Sequence, residues 1–162
     1  MSNKSGEIKD KQYTSAELFE KNHIKSTKIM EKIKQGKIPE ILEGIGYITD
    51  KGLVIDIKYP KYFANPTTYD LIVHHWDTIF SQVLTSNSAY TIYINIQSLS
   101  LADIDKHYNF CKYIANYFAL KYPDKLHKCY IYNASIVFET LINIISKFID
   151  PVTIKKIHLV KE

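Results

Sequence analysis

The chain has 162 residues, 46% of them apolar, and a net charge of +4. It is long enough for one domain with a real core and too apolar for a disordered chain. Every basic residue is lysine; arginine makes most bidentate phosphate and specific base contacts, so nucleic acid is not an expected partner. The start, MSNKSGEIKDKQ, has no apolar run of the secretory kind, and no window reaches 18 uninterrupted apolar residues. Cys111 and Cys129 lack CxxC spacing and read as two buried, reduced thiols. Both ends of the chain are rich in lysine. Each lysine close to an anionic membrane would contribute about 1 kcal/mol, although most read as solvated surface.

Residues 1–13 are polar and are expected to lack fixed structure. Thr14 and Glu17 have the spacing of a capping box, which starts a helix through Leu18, Phe19, Ile24, Ile29, Met30 and Ile33. Gly36 or Pro39 ends it. Gly44 and Gly46 mark a boundary, dividing the chain into a tail with a short helical lobe (1–44) and a main domain (45–162). Gly46 to Ile57 reads as a hairpin turning at Asp50-Lys51-Gly52. Pro60 and Pro66 punctuate a loop. A helix follows over 68–84, with Leu71, Ile72, Ile79, Phe80, Val83 and Leu84 inward.

Tyr90 to Ile96 alternates, placing Ile92, Ile94 and Ile96 on one face and Tyr93 and Asn95 on the other. This is the pattern of a central strand covered on both sides. Ser100 caps a helix that runs to Lys121 through Ile104, Tyr108, Cys111, Ile114, Ala115 and Phe118. Cys129 to Tyr132 is a strand. Ile136 to Ile149 is a helix whose apolar side chains span an arc of roughly 160°. Asp150-Pro151 stops it, because the residue before proline is pushed out of the α region. Ile154 to Val160 is the last strand. The alternation predicts an α/β domain: a mainly parallel sheet with flanking helices and a small N-terminal helical lobe.

Chemistry-bearing motifs are sparse. There is no phosphate-binding glycine loop and no HExxH pair. His74 and His75 are adjacent on a helix, so their rings point about 100° apart and cannot share a metal. No catalytic set, metal site or cofactor is expected, and the chain does not read as an enzyme. Asn133-Ala134-Ser135 fits a glycosylation sequon but is better explained as a strand-to-helix junction.

The last third carries a resemblance. Tyr122-Pro123-Asp124, a basic spacer, a strand ending in Asn133-Ala134, a helix, and then Asp150-Pro151-Val152-Thr153-Ile154-Lys155-Lys156 before a final strand follow one another in order. This resembles the end of a CRAL-TRIO lipid-binding domain, the domain of phosphatidylinositol-transfer proteins, in shortened form. The match is clear over roughly the last 40 residues and looser back to about Tyr90. Asn95-Ile96-Gln97-Ser98 departs from the family's turn at that point.

The resemblance implies that Asp124, Thr153 and Lys156, with Lys155 beside them, hold a lipid headgroup. Lysine pairs with the phosphodiester, threonine donates, and a carboxylate accepts from ring hydroxyls. It implies that the helix after Asn133 is a gate, with Leu141, Ile142, Ile145, Phe148 and Ile149 lining an acyl-chain pocket against the sheet. The ligand expected is a phospholipid, phosphatidylinositol or a phosphoinositide, moved between membranes. The protein is then cytoplasmic and transiently bound to membrane surfaces, with homodimerisation one way to close a short, open slot. Tyr90 and Ile92 stand where members that take choline lipids carry hydroxyl side chains, which implies poor choline-lipid binding.

Two other readings compete. One is a lipid-free protein-interaction module on the same fold, its pocket filled by side chains. The other is an α/β module similar to anti-sigma-factor antagonist domains, switched by phosphorylation at Ser100 or Ser135.

Overall fold

The computed structural model describes residues 13–19, 26–57, 64–97, 99–134 and 136–161. Within these the helices are α1 (Ser15–Phe19), α2 (Ser26–Lys34), α3 (Ile38–Ile45), α4 (Tyr69–Leu84), α5 (Leu101–Lys106), α6 (Tyr108–Lys121), α7 (Phe138–Ile145) and α8 (Pro151–Ile154). The strands are β1 (Gly46–Thr49), β2 (Gly52–Asp56), β3 (Tyr90–Asn95), β4 (Leu126–Tyr132) and β5 (Ile157–Val160). They form one sheet in the order β1-β2-β3-β4-β5. The β1–β2 pair is antiparallel and the other three pairs are parallel.

Alternation along the strands sorts side chains to two faces. Leu53, Ile55, Ile92, Cys129, Ile131, Ile157 and Leu159 pack with α3, α4, α6 and α7. Val54, Tyr93, Tyr130, Tyr132 and Val160 face the other way and pack with Tyr13, Leu18 and Phe19. Strands laid down in sequence and joined by right-handed crossovers put all their connecting helices on one side. The N-terminal segment therefore has to cover the back. It is pinned there by Tyr132, whose hydroxyl donates to the Tyr13 carbonyl at 2.6 Å, and by Tyr47, which donates to the Leu18 carbonyl at 2.7 Å.

The predicted capping box at Thr14 is present, and Ser100, expected as an N-cap, forms a second one. Glu17 N–H donates to Thr14 Oγ1 and Thr14 N–H to Glu17, and Ser100 and Asp103 reciprocate in the same way. Elsewhere the boundaries differ for local reasons. Gly36 does end a helix, at φ 71°, but Pro39 begins the next one, since proline's missing N–H costs nothing in a first turn. α3 then runs straight into β1, and its Ile41, Leu42 and Ile45 join the same core as the sheet. The expected helix over 14–33 is represented by α1 and α2; residues 20–25, with Ile24, and the loop residue Pro60 lie outside the described residues, as do residues 1–12, Ser98 and Ser135.

The helix expected from Ser100 to Lys121 breaks at His107, whose N–H closes α5 on the Asp103 carbonyl. Leu71 is 48% exposed, not inward. It lies on the stripe with His74, Thr78 and Ser81, while Ile72, Val73, Trp76, Ile79 and Phe80 form the buried one. The helix expected over 136–149 is regular only from Phe138 to Ile145. Its end tightens into i→i+3 turns, Lys147 N–H to Ile144 and Phe148 N–H to Ile145. Asp150 then caps α8 by accepting from Thr153 N–H, so residues 151–154 are a helical turn and β5 starts only at Ile157.

Gly52 is fixed by geometry on two counts. Its φ is 143°, and a Cβ there would sit 2.7 Å from the Thr91 carbonyl oxygen of β3. Gly52→Ala should therefore cost about 2 kcal/mol. A lower urea midpoint at unchanged m-value is the expected readout; an unchanged midpoint would mean that the β2–β3 register is looser than described.

Candidate functional site

On the helix-covered face the core is incomplete. Ile94 lies in the middle of the central strand, yet it is only partly buried, as are Ile114 and Phe118 on α6. α7 is apolar along most of its length and has no fully buried residue. Between them is a cavity of about 290 Å³. Its floor is Ile55, Ile92, Ile94, Cys129, Ile131 and Ile157 of the sheet. Trp76 and Phe80 of α4 and Ile114, Ala115 and Phe118 of α6 form one wall, and Leu141, Ile145 and Ile149 form the other. Sites that enclose drug-sized ligands run from about 300 to 1,000 Å³ and are mostly apolar, so this space sits at the small end of that class.

A register shift shapes one end. Pairing of β3 with β4 slips between Tyr90 and Thr91, so Leu126 and Cys129 both reach the cavity although they are an odd number of residues apart. The rim at this end is Tyr122, Pro123, Asp124, Asp150 and Thr153. Asp124 is exposed and stands at φ 59°, a conformation uncommon for a non-glycine residue. Thr153 donates its hydroxyl to Asp150 Oδ2 at 2.9 Å. Hydrogen bonds from the Thr153 backbone and hydroxyl hold the Asp150 carboxyl below its usual range.

The sequence-predicted residues divide accordingly. Asp124, Thr153, Leu141, Ile145 and Ile149 line the cavity. Lys156 is beside it: its ammonium donates to the carbonyl of Leu126, a lining residue, at 2.9 Å. Lys155 is exposed and outside the lining. Ile142 and Phe148 are partly buried and also outside it. The tight turns after Ile145 take Phe148 off the phase of a continued helix, and its ring instead meets the Lys112 ammonium 5.6 Å from its centroid.

Sequence reasoning gave the cavity two walls, the sheet and α7. The third, from α4 and α6, was missed, because Phe80, Ile114 and Phe118 read as ordinary inward helix positions and Trp76 was not among the residues read as inward. The two cysteines, both expected to be buried, border the same space as free thiols; Cys129 is buried and Cys111 only partly so. Burial pushes the Cys129 thiol up to about 12 and raises that of Cys111. Burial likewise raises the Tyr90 hydroxyl, so each of these groups stays protonated and the interior carries no charge.

A polar cluster lies just behind the α4–α6 wall. The Asp77 carboxylate accepts from Tyr117 Oη at 2.8 Å, from Lys121 Nζ at 2.5 Å and from the Tyr122 hydroxyl. Burial works to raise the Asp77 carboxyl, but the hydrogen bonds from Lys121, Tyr122 and Tyr117 outweigh it and hold the group below the usual carboxylate range. Among the described residues no group of His, Cys, Asp and Glu is arranged to hold a metal ion. His75 is engaged elsewhere, its Nε2 lying 2.8 Å from the Gly46 carbonyl.

An α/β sheet with its crossover helices on one face, enclosing an apolar cavity with polar groups at its rim, defines a domain suited to an apolar ligand. The CRAL/TRIO domain model matches residues 57–162 of this chain, and the chain belongs to that family of lipid-binding domains. It is 35% identical over 66 residues to the SEC14 cytosolic factor of Yarrowia lipolytica (strain CLIB 122 / E 150), a match covering 41% of this chain and 13% of that protein. The fold is that of the crystal structure of Sfh5, with a TM-score of 0.61 at 22% identity over 74% of this chain and 49% of the other. The chain thus spans a small part of the first relative and about half of the second. No described helix is long and apolar enough to cross a membrane.

The thiols offer a direct check on the cavity. At pH 8 a thiol near 12 is about one part in ten thousand thiolate, and the thiolate is the nucleophile. Iodoacetamide should leave Cys129 unmodified in the folded protein, label Cys111 slowly, and label both in urea. Equal rates for the two in the folded state would contradict the burial described.

Proposed function

We propose that this domain binds and transfers a phospholipid, with phosphatidylinositol or a phosphoinositide as the preferred ligand. The observation that carries the reading is the placement of Asp124 and Thr153 on the rim of an apolar cavity, with the Lys156 ammonium beside it. An ammonium has three donors and Leu126 takes one, which leaves two for a phosphodiester. Asp124 and Asp150 supply acceptors for ring hydroxyls. The uncharged lining, including protonated Cys111, Cys129 and Tyr90, suits fatty chains.

The energetic demand is large. At about 0.8 kcal/mol per CH₂, leaving two chains in water costs on the order of 25 kcal/mol. A two-chain lipid is bulkier than the cavity, so α7 has to move outward to admit it. Such movement is inexpensive here. α7 has no fully buried residue, and among the described residues no side-chain hydrogen bond ties it to another element, although Leu141 and Ile144 pack on the core. The lysine-rich ends would favour an anionic membrane surface while this happens.

Lys156→Ala should lower the transfer of labelled phosphatidylinositol between vesicles at least tenfold, the scale of a charge-assisted contact. Its thermal melting should stay within a few degrees of wild type, as expected for a partly exposed side chain. Undiminished transfer would remove Lys156 from the headgroup site. A protein that carries no phospholipid under any vesicle composition would instead favour the lipid-free interaction module.

A further inference from the structure

Asp77 on α4 is a buried carboxylate, 9% exposed, that does not itself line the cavity. Two of its three donors, Tyr117 and Lys121, come from the last turns of α6, and the third, Tyr122, is the C-cap of that helix and the first residue of the rim. The Tyr122 hydroxyl in addition lies 2.5 Å from Ser81 Oγ of α4. One residue separates Tyr122 from Asp124, and that residue is Pro123, whose ring fixes φ. On the far side, the Lys125 carbonyl accepts from Tyr90 N–H at 2.8 Å, which ties the chain to β3. Asp124 is therefore suspended across two residues between an anchor on α4 and an anchor on the sheet. It sits there in the left-handed region, which aspartate enters more readily than most side chains and which suits a tight turn.

We propose that Asp77 is a positioning residue: through Tyr122 it sets the place of the Asp124 carboxylate at the cavity mouth, and so the selection of a headgroup that donates hydroxyls. This deepens the headgroup reading above and rests on it. The sheet anchor uses backbone groups that any residue supplies. The α4 anchor is made by side chains, the Asp77 carboxylate with Ser81 beside it, so it is the one that a substitution can release. The acyl-chain space does not depend on it, because Trp76, Phe80, Ile114 and Phe118 keep their apolar contacts with the sheet and with one another.

The test compares wild type with Asp77→Asn, Asp124→Asn and the double variant. Two probes are used: labelled phosphatidylinositol in phosphatidylcholine vesicles, and diphenylhexatriene, a neutral apolar fluorophore without a headgroup. Asp77→Asn should weaken phosphatidylinositol uptake about tenfold and leave diphenylhexatriene binding within twofold. The double variant should be no worse than the weaker single, since residues acting as one unit are not additive. Hydrogen exchange at the amides of Tyr122, Asp124 and Lys125 should rise in Asp77→Asn above the change in global stability. Unchanged exchange there overturns the proposal whatever the ligand, and so does equal loss of both probes, which is the mark of a plain helix–helix clamp. Faster exchange in a protein whose wild type takes up diphenylhexatriene but no phosphatidylinositol refutes the headgroup reading while the anchoring of Asp124 stands.

Discussion

Everything in this domain follows from the order of its sheet. Five strands pair in chain order, and the parallel pairs need crossovers of one hand. The crossover helices therefore share one face, and the opposite face has no partner among them. The back, carrying Tyr93, Tyr130 and Tyr132, is covered by the segment around Tyr13, Leu18 and Phe19. The front must be sealed by α4, α6 and α7, and α7 is too short and too loosely seated to fill its share. An apolar cavity over the central strand is the result. In a domain of this size such a gap forfeits packing energy, which is why a built-in one points to a ligand.

Rigidity is distributed unevenly around that gap. The α4–α6 side is fixed by stacked and tilted rings, Phe80 with Phe118 at 4.5 Å and Tyr69 with Phe110 at 4.2 Å between centroids, and by the carboxylate of Asp77 behind them. Trp76 ties α4 to the start of the sheet, its indole N–H donating to the Ile45 carbonyl at 3.3 Å. The α7 side rests on half-buried aliphatic residues. A wall held by hydrogen bonds and stacked rings faces a wall held by side-chain contact alone, so an opening motion falls on the second. The rim sits between them, where the α6–β4 loop meets α8, and joins the polar chemistry of both.

The sequence made much of this legible. The hairpin around Gly52, the helix over 69–84, the alternation of β3, the capping box at Thr14 and the N-cap at Ser100 were each carried by a local signal. So was the family, through the order of Tyr122-Pro123-Asp124, Asn133-Ala134 and Asp150-Pro151. What local signals could not carry were features set by distant contacts. The break at His107 depends on a ring that packs against Tyr69 of another helix, with its hydroxyl 3.1 Å from Nδ1. The early end of α7 reflects the turn needed to reach β5 through a capped α8. The share of α4 and α6 in the cavity follows from what α7 fails to cover, which no single helix reports. Asp77 did leave a trace: it is an acid on the buried stripe with Val73 and Phe80, and Tyr117 and Lys121 recur at helical spacing on α6. Such an acid requires a partner, but the sequence does not say where that partner is.

The central claim is that the gap on the front of the sheet is a phospholipid site. Native mass spectrometry of the purified protein tests it most directly. The account predicts, beside the 18.9 kDa chain, a second species heavier by one phospholipid, with phosphatidylinositol masses dominant and released on organic extraction. A spectrum of bare chain alone, unchanged after incubation with vesicles containing phosphatidylinositol, would contradict it.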